Sequence, residues 1–150
     1  MIAVIYNVFG SRYEANAYAK WTGKSLTTER QWERSARGTD GRTCPWGNAF
    51  DKEKCNTRES GIGKTTQVTH YPDGISIVGC YDMAGNVWEW TRTNYETKGE
   101  QDDFKKGEYP VLRGGSWDSG RGVARCADRN SFNPEFRFYS PGFRCVRTLK

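Results

Sequence analysis

Glycine and aromatic residues, rather than leucine, set the character of this sequence. Its 150 residues include 17 glycines, six Trp, eight Tyr and seven Phe, whereas leucine occurs only at Leu26, Leu112 and Leu149. This composition argues against a helix bundle and favours a loop-rich α+β or all-β domain whose core is built from large rings. The aromatic content also argues against disorder, because disordered chains are poor in aromatic residues. The length predicts a single domain over residues 1–150.

The charge and hydropathy patterns limit the partners of the chain. The net charge is +5, and both signs are mixed along the sequence, whereas a nucleic-acid-binding protein usually concentrates its basic residues on one face. We therefore expect no nucleic acid as the primary ligand. No apolar run approaches the ~18 residues of a membrane span, and the first residues show no secretory signal. We expect a soluble protein without a membrane span, and the cytoplasm, a virus particle and cell-surface display by another route all stay open as locations.

The cysteines and the single histidine offer few catalytic or metal sites. Five cysteines are present, without a C-x-x-C pair, which excludes the common zinc spacings and a complete disulfide framework. Cys44 and Cys55 could pair, but we expect buried free thiols. His70 is the only histidine, and we interpret it as a turn residue rather than a catalytic base.

Two capping boxes predict two short helices near the start of the chain. Residues 11–14 read Ser-Arg-Tyr-Glu and residues 28–31 read Thr-Glu-Arg-Gln, the pattern in which the first and fourth side chains satisfy each other's backbone N–H groups. Gly23 and Gly38 are the expected ends of these helices. Before them, the apolar run 2–9 predicts a strand.

The rest of the chain is dominated by turn residues, with short strand candidates between them. Residues 66–70 and 87–91 have strand character, and 109–117 and 141–147 read as strands that contain glycine. The charged stretch 98–107 predicts an exposed loop tip. Residues 118–140 show little strand or helix periodicity.

Five motifs in sequence order resemble one known family. They are KSLTTERQWERSARG at 24–38, PWGN at 45–48, YDMAGNVWEW at 81–90, RGGSW at 113–117 and GFR at 142–144. Together they resemble the formylglycine-generating-enzyme (sulfatase-modifying factor) domain, a branch of the C-type lectin fold. The resemblance implies an α+β fold with two short helices, a small antiparallel sheet and long irregular loops.

The same resemblance argues against catalysis. The formylglycine-generating enzymes bind copper through two cysteines shortly after the RGGSW block, but residues 118–124 here contain no cysteine, and Cu(I) requires soft thiolate ligands. Cys126 and Cys145 match disulfide cysteines of some members, whose partner positions are Ala19 and Ala36 here, so we expect structural thiols. The related sulfoxide synthases use an iron site built from several histidines, which a chain with a single histidine cannot build alone. We therefore expect no enzyme activity and no required cofactor.

A second resemblance concerns the C-terminal third. RGGSW, then RCADR at 125–129, Asn133-Pro134 and finally GFR are similar to the variable proteins of diversity-generating retroelements, in which adenine-specific errors rewrite Asn codons. Such errors cannot produce Lys, Gln, Glu, Met or Trp. Residues 118–141 fit this restriction with the single exception of Glu135. The segment's Tyr, Phe, Arg and Ser content is typical of a binding surface, although an ordinary loop whose rings join the core is the alternative.

This resemblance implies a scaffold at 1–117, a variable ligand-binding region at 118–141 and a closing strand at 142–150. We assign four arginines to the scaffold: Arg113, Arg125, Arg129 and Arg144. The expected contact residues are Asp118, Ser119, Gly120, Arg121, Asp128, Ser131, Phe132, Phe136, Phe138, Tyr139 and Ser140. The implied ligand is a protein or a cell-surface molecule, and homo-oligomeric display would strengthen its binding. A formylglycine-generating oxidase and a carbohydrate-binding lectin remain as alternatives, although no Glu-Pro-Asn signature is present.

Residues 82–89 resemble a calcium loop of the family. The implied ligands are the Asp82 and Glu89 carboxylates and the Gly85 and Val87 carbonyls, and hard oxygen donors of this kind suit a structural Ca²⁺. In the alternative interpretation, Asp82 caps a turn and Glu89 pairs with an arginine.

Overall fold

A computed structural model describes residues 5–6, 10–137 and 141–147. It contains two helices, six short strands and long irregular connections, which confirms the expected α+β class. The helices are α1 (Arg12–Trp21) and α2 (Glu29–Arg37), and the strands are β1 (Ile5–Tyr6), β2 (Ser25–Leu26), β3 (Trp88–Asn94), β4 (Pro110–Arg113), β5 (Arg129–Ser131) and β6 (Pro141–Val146).

Both helices begin at the predicted capping boxes. The Ser11 N–H donates to the Glu14 carboxylate at 2.7 Å, and the Thr28 N–H donates to the Gln31 side chain at 2.9 Å. In each box the first hydroxyl accepts from the backbone of the fourth residue, so two N–H groups that a helix leaves unpaired are satisfied. Helix α2 ends at Gly38, which has a φ of 64° that favours glycine.

The strands form one sheet in the order β1-β6-β3-β4-β5, and β2 also pairs with β6. Strands β3 and β4 are antiparallel, with Trp90 opposite Leu112. Strand β6 lies parallel to β3, with Phe143 opposite Trp90, and the other strand pairings that the structure describes are antiparallel, as expected. The long connection between β5 and β6 allows a parallel arrangement that a tight hairpin could not make.

The main core cluster lies between α1 and the sheet. Its large rings are Trp88, Trp90 and Phe143, and the small residues Ala15 and Ala19 of α1 pack against them. Because small alanines occupy these helix positions, the large rings fill the space between the helix and the sheet.

A second cluster joins α2 to the loops through Trp32, Ala36, Met83, Cys80 and Cys126. Cys126 thus shares a cluster with Ala36, as Cys145 does with Ala19 in the main cluster, in agreement with the partner positions that the resemblance implied. All five cysteines are free and buried, which confirms the expectation of unpaired thiols and leaves Cys44 and Cys55 unbridged.

The structure corrects two sequence-based expectations for the loops. Residues 66–70 form a turn instead of a strand: the Asn86 side chain accepts from Thr66 N–H at 3.0 Å and donates to Thr66 C=O at 3.2 Å, so a side chain replaces a neighbouring strand. The 98–107 loop is mostly exposed, as expected, but Phe104 is buried under the Arg12 guanidinium, 4.5 Å from its ring centre.

Strand β5 lies in the stretch that lacks sequence periodicity. Of the predicted N-terminal strand 2–9, residues 5–6 form β1 and pair with β6, and residues 2–4 and 7–9 lie outside the described residues. Within the described residues, no helix has the length and apolar character needed to cross a membrane.

Candidate ligand-binding surface

The described part of the predicted variable region, residues 118–137, is called here the display segment. Its first turn is held by two side chains of the 58–60 helical turn. Arg58 donates to the Asp118 carbonyl at 2.7 and 3.1 Å, and Glu59 accepts from the Arg121 N–H at 2.9 Å. These contacts reach main-chain atoms of the display segment.

The middle of the display segment is held by Arg113, whose side chain is 1% exposed. Its guanidinium donates to the carbonyls of Cys126 at 2.7 Å and Ala127 at 3.1 Å. Glu29 and Glu33 balance its charge at 3.2 and 2.7 Å, while burial lowers the pKa of Arg113. Arg113 thus has the scaffold role that the sequence predicts.

Arg129 extends the same network to the surface. It binds both oxygens of Glu29 at 2.8 Å and stacks 4.3 Å from the ring centre of Tyr95. The hydrogen bond to Glu29 raises the pKa of Arg129. Arg125, the other predicted scaffold arginine of this region, is exposed and donates to the Gly122 carbonyl at 2.7 Å.

The last part of the display segment lies against the start of α1. The Arg12 N–H donates to the Pro134 carbonyl at 3.0 Å, and Arg137 forms an exposed ion pair with Glu14 at 2.9 Å. Phe136 is 54% exposed, as expected for a contact residue. Phe132 instead packs against the main core cluster, which matches the alternative interpretation for this ring.

The remaining predicted contact residues differ in how freely their side chains are presented. Arg121 is exposed, and Gly120, Asp128 and Ser131 are half-buried. The side chains of Asp118 and Ser119 both hydrogen-bond Ser116 within one turn. The predicted contacts Phe138, Tyr139 and Ser140 lie outside the described residues.

The predicted contact residues that the structure describes fall into two patches. Strand β5 runs antiparallel to β4, with Arg129 opposite Arg113 and Ser131 opposite Val111. Residues 118–121 therefore follow one end of β4, whereas residues 132–136 leave β5 toward the other end. The four residues of β4 separate the two ends by roughly 10 Å at ~3.3 Å per residue.

A cleft beside the second patch contains residues that the sequence did not indicate. Its volume is about 370 Å³, and one wall is formed by residues 133–135 and the other by Tyr13, Tyr109 and the 104–108 loop. Tyr13 is 36% exposed and Tyr109 is 41% exposed. In the sequence, Tyr13 belongs to the first capping box and Tyr109 to a predicted strand. The sequence could have indicated that Tyr13 is exposed, because it lies two residues from the buried Ala15 and therefore about 200° around the helix from the buried face.

The predicted calcium ligands are arranged differently from a metal site. The Glu89 carboxylate is completely buried and binds Arg144 through both oxygens, at 2.5 and 2.6 Å, and Trp32 Nε1 at 2.6 Å. Asp82 accepts from the Asn86 side chain at 3.0 Å. These partners occupy the Glu89 oxygens that Ca²⁺ would need, so the residues do not fit the implied site, and the arginine-pair alternative describes Glu89. Among the described residues, no group of three acidic, cysteine or histidine side chains is placed to hold a metal.

The thiols and the histidine are poorly suited to catalysis. Burial raises the pKa of Cys55 and of Cys126 to about 12, so both stay protonated and weakly nucleophilic at neutral pH. His70 is exposed in a turn, where its backbone N–H donates to the Gln67 carbonyl and its ring contacts Tyr71 edge-on. This position agrees with the expected turn role.

Comparisons with known proteins identify a family and several relatives. Residues 8–149 match the Sulfatase-modifying factor enzyme 1-like domain. The chain is 41% identical to the serine/threonine-protein kinase Pkn1 of Chlamydia trachomatis, over 92% of this chain and 23% of that protein. It is 35% identical to the inactive C-alpha-formylglycine-generating enzyme 2 of Mus musculus, over 89% of this chain and 46% of that protein. It is also 36% identical to hercynine oxygenase of Mycobacterium tuberculosis, over 89% and 35%.

Solved structures show the same fold. PvdO from Pseudomonas aeruginosa superimposes with a TM-score of 0.78 and 25% identity, covering 93% of this chain and 60% of that one. Treponema denticola variable protein 1 gives a TM-score of 0.70 and 28% identity, covering 81% and 46%. The Major Tropism Determinant U1 variant gives 0.59 and 19%, covering 91% and 37%, a likeness of fold alone. The chain spans about a quarter to a half of the curated relatives described above.

Proposed function

This chain belongs to the sulfatase-modifying factor family, and within that family we propose that it is a non-catalytic ligand-binding module whose display segment carries diversified contact residues. The relatives of this chain include one named inactive and one named an oxygenase, and one of its structural neighbours is named a variable protein. Family membership therefore does not distinguish a binding module from an enzyme, and the function has to be inferred from the residues of the site.

The proposal rests on one observation: the framework holds the display segment by its main-chain atoms. Arg58 binds the Asp118 carbonyl, Arg113 binds the Cys126 carbonyl, and the Arg12 N–H binds the Pro134 carbonyl. Every residue type has a carbonyl, so the side chains of the segment can change without removing these anchors. A surface with this property suits diversification, because recognition can vary while the backbone path is retained.

Diversification by a retroelement is supported by the residue types of the segment. Residues 118–141 contain, apart from Glu135, only types that adenine-specific errors in Asn codons can produce. The same stretch presents the exposed Phe136 ring and the exposed Arg121. Aromatic and arginine side chains are the commonest energetic anchors of protein interfaces, which favours a protein or cell-surface ligand.

The two patches suggest how such a ligand would be engaged. The 132–136 patch adjoins the cleft of about 370 Å³, where Tyr13 and Tyr109 add framework rings to the variable ones. We propose that a ligand group enters this cleft while the rest of the ligand crosses the display segment. Homo-oligomeric display would then multiply the affinity of each weak contact.

An oxidase of the formylglycine-generating type is the second function considered, because an oxygenase is among the relatives. Against it stand the absence of cysteine from residues 118–124 and the raised pKa of the Cys126 thiol that follows them. A lectin function is separated from protein binding by a glycan array, in which binding to defined sugars would contradict the proposal.

A library experiment tests the proposal. Gly120, Arg121, Asp128 and Phe136 are randomised together to the residue types reachable from Asn codons, and the fraction of folded, protease-resistant clones is counted on yeast. We expect most clones to fold, because the anchors are main-chain atoms. A matched library at four framework positions, Arg12, Glu29, Arg58 and Arg113, should lose nearly all folded clones. Equal losses in the two libraries would contradict the proposal, as would a genome without a nearby template repeat that differs at adenines.

A further inference from the structure

We propose that one stripe of α2 is a docking site for an acidic segment of a partner protein that also carries an apolar side chain. The stripe consists of Arg30, Arg34 and Gly38, and the exposed pair Ile77 and Val78 extends it; together they are called here the α2 stripe. It lies outside the display segment, so the inference goes beyond the proposed function.

The α2 stripe is continuous because its members follow helical spacing. Arg30, Arg34 and Gly38 are four residues apart, which places them one above the other on the same face. All three line one open groove of about 710 Å³. Ile77 lies directly on Gly38: a Cβ built on that glycine would be 2.8 Å from the Ile77 Cγ2 atom. The two arginines therefore lead to an apolar end.

The arginines of the stripe lack the compensation that neighbouring charges have. The nearby carboxylates already bind arginines, in the pairs Glu29–Arg113, Glu29–Arg129, Glu33–Arg113, Glu33–Arg37 and Asp40–Arg42. Within the described part of the chain, Arg30 and Arg34 have no ion pair. Glu100 also lines the groove, but the lining has three arginines against two glutamates and therefore keeps a net positive charge. Two exposed guanidinium groups without an ion pair are suited to bind carboxylates, each through two parallel hydrogen bonds.

The apolar end is held outward by a tight turn. Ile77 is 62% exposed and Val78 is 58% exposed. The turn is fixed by Ser76, whose C=O accepts from Gly79 N–H at 2.8 Å and whose hydroxyl accepts from Cys80 N–H at 3.2 Å. Two adjacent β-branched side chains on this turn expose apolar surface, and a partner that covers them would gain free energy by removing that surface from water.

The combination of charges and apolar tip selects the kind of partner. A nucleic acid would use the arginines but gain nothing from Ile77 and Val78. A segment with two acidic residues and one large apolar residue would use both halves of the stripe. Opposite charge would favour the encounter, and the apolar contact would slow dissociation.

A subtractive peptide selection tests this inference. A phage-displayed 12-residue random library is selected on the wild-type protein after depletion on the Arg30→Glu/Arg34→Glu variant, which removes peptides that bind the display segment. We expect enriched peptides with at least two acidic residues and a Leu, Ile or Phe. The most enriched peptide, labelled with fluorescein, should bind the charge-reversed variant at least tenfold more weakly and Ile77→Ser/Val78→Ser at least fivefold more weakly. Circular dichroism checks that the variants are folded.

The control and the contrary outcomes are specific. Lys52→Glu/Lys64→Glu changes the net charge equally at exposed positions outside both the α2 stripe and the ligand cleft and should alter the affinity less than twofold. An equal loss in this control would show unspecific charge attraction and overturn the proposal. So would enriched peptides without acidic residues, displacement of the peptide by a 12-nucleotide DNA strand, or self-association of the wild type that Ile77→Ser abolishes. None of these outcomes bears on diversification of the display segment.

Discussion

The Arg144 guanidinium and the Glu89 carboxylate form a two-point ion pair that is completely shielded from solvent. Arg144 Nε lies 2.5 Å from Glu89 Oε2, and Arg144 Nη2 lies 2.6 Å from Oε1, with both side chains 0% exposed. The pair joins β6 to β3, and Trp32 Nε1 donates to the same carboxylate at 2.6 Å. One buried carboxylate thus ties α2, β3 and β6 together.

We expect the loss of one partner of this pair to be severe. Glu89→Gln should lower the free energy of unfolding by about 3–5 kcal/mol, since a buried arginine would be left without its counter-charge. Glu89→Leu/Arg144→Met should be more stable than Glu89→Gln, because no charge is then buried. Lys20→Met, which removes the exposed Lys20–Asp102 pair, should change the value by less than about 1 kcal/mol. Urea unfolding at pH 7 measures all three, and a mild effect of Glu89→Gln would contradict the prediction.

Asp82 makes the stability of the fold pH-dependent. Burial raises the pKa of Asp82 to about 7 from its ordinary value of 3.8, so between these values the folded state holds a proton that the unfolded state has lost. Stability therefore falls as the pH rises from about 4 to 7, by at most ~1.4 kcal/mol per pH unit. Above pH 7 this contribution is constant.

The Asp82→Asn variant should remove that slope. Asparagine tolerates the positive φ of 52° at this position, and its side-chain oxygen can still accept from Asn86. We expect the free energy of unfolding of the wild type, taken relative to that of the variant, to fall by about 2 kcal/mol between pH 5 and pH 7. Urea unfolding at several pH values measures this difference. Parallel profiles for the two proteins would show that Asp82 does not titrate in this range.

Calcium should leave the fold unaffected. Because Arg144 and Trp32 occupy the Glu89 oxygens, binding of Ca²⁺ would require the buried ion pair to break. We expect the melting temperature to change by less than about 1 °C between 1 mM EDTA and 5 mM CaCl₂. A rise with calcium that Asp82→Asn abolishes would restore the site that the sequence implied.

The helices were predictable from sequence because their determinants are local. The capping boxes join Ser11 to Glu14 and Thr28 to Gln31, three residues apart. The motif resemblance supplied the fold class and the scaffold role of Arg113, but not its partners: its bonds to Glu29 and Glu33 span 84 and 80 residues.

The errors have the same origin. Residues 66–70 have the composition of a strand, but the side chain of Asn86, 20 residues from Thr66, takes both backbone hydrogen bonds of Thr66. Strand β5 has no periodicity of its own and is defined by its pairing with β4. The ring of Phe132 looks like an exposed anchor in the sequence, and only the position of the main core cluster shows that it is half-buried.

The chain should not convert a cysteine-containing sulfatase peptide to formylglycine. Residues 118–124 provide no thiolate for copper, and the buried Cys126 is protonated at neutral pH. Mass spectrometry of the peptide after incubation with copper and oxygen measures the conversion, with an active formylglycine-generating enzyme as the positive control. Clear conversion would disprove the non-catalytic assignment.

The display segment makes opposite predictions for its two described rings. Phe136 is 54% exposed, so Phe136→Ala should change the free energy of unfolding by no more than ~0.5 kcal/mol. Phe132 packs against the main core cluster, so Phe132→Ala should cost about 1–3 kcal/mol, less than the ~3–5 kcal/mol expected for Trp32→Ala in the fully buried core. Thermal and urea unfolding measure these differences. If Phe136→Ala proves as costly as Phe132→Ala, the exposed ring is a structural residue, and the display segment loses its clearest aromatic contact. If Phe136→Ala is neutral and Phe132→Ala is costly, the residue at position 136 can change without loss of the fold, and Phe132 belongs to the framework that supports the display segment.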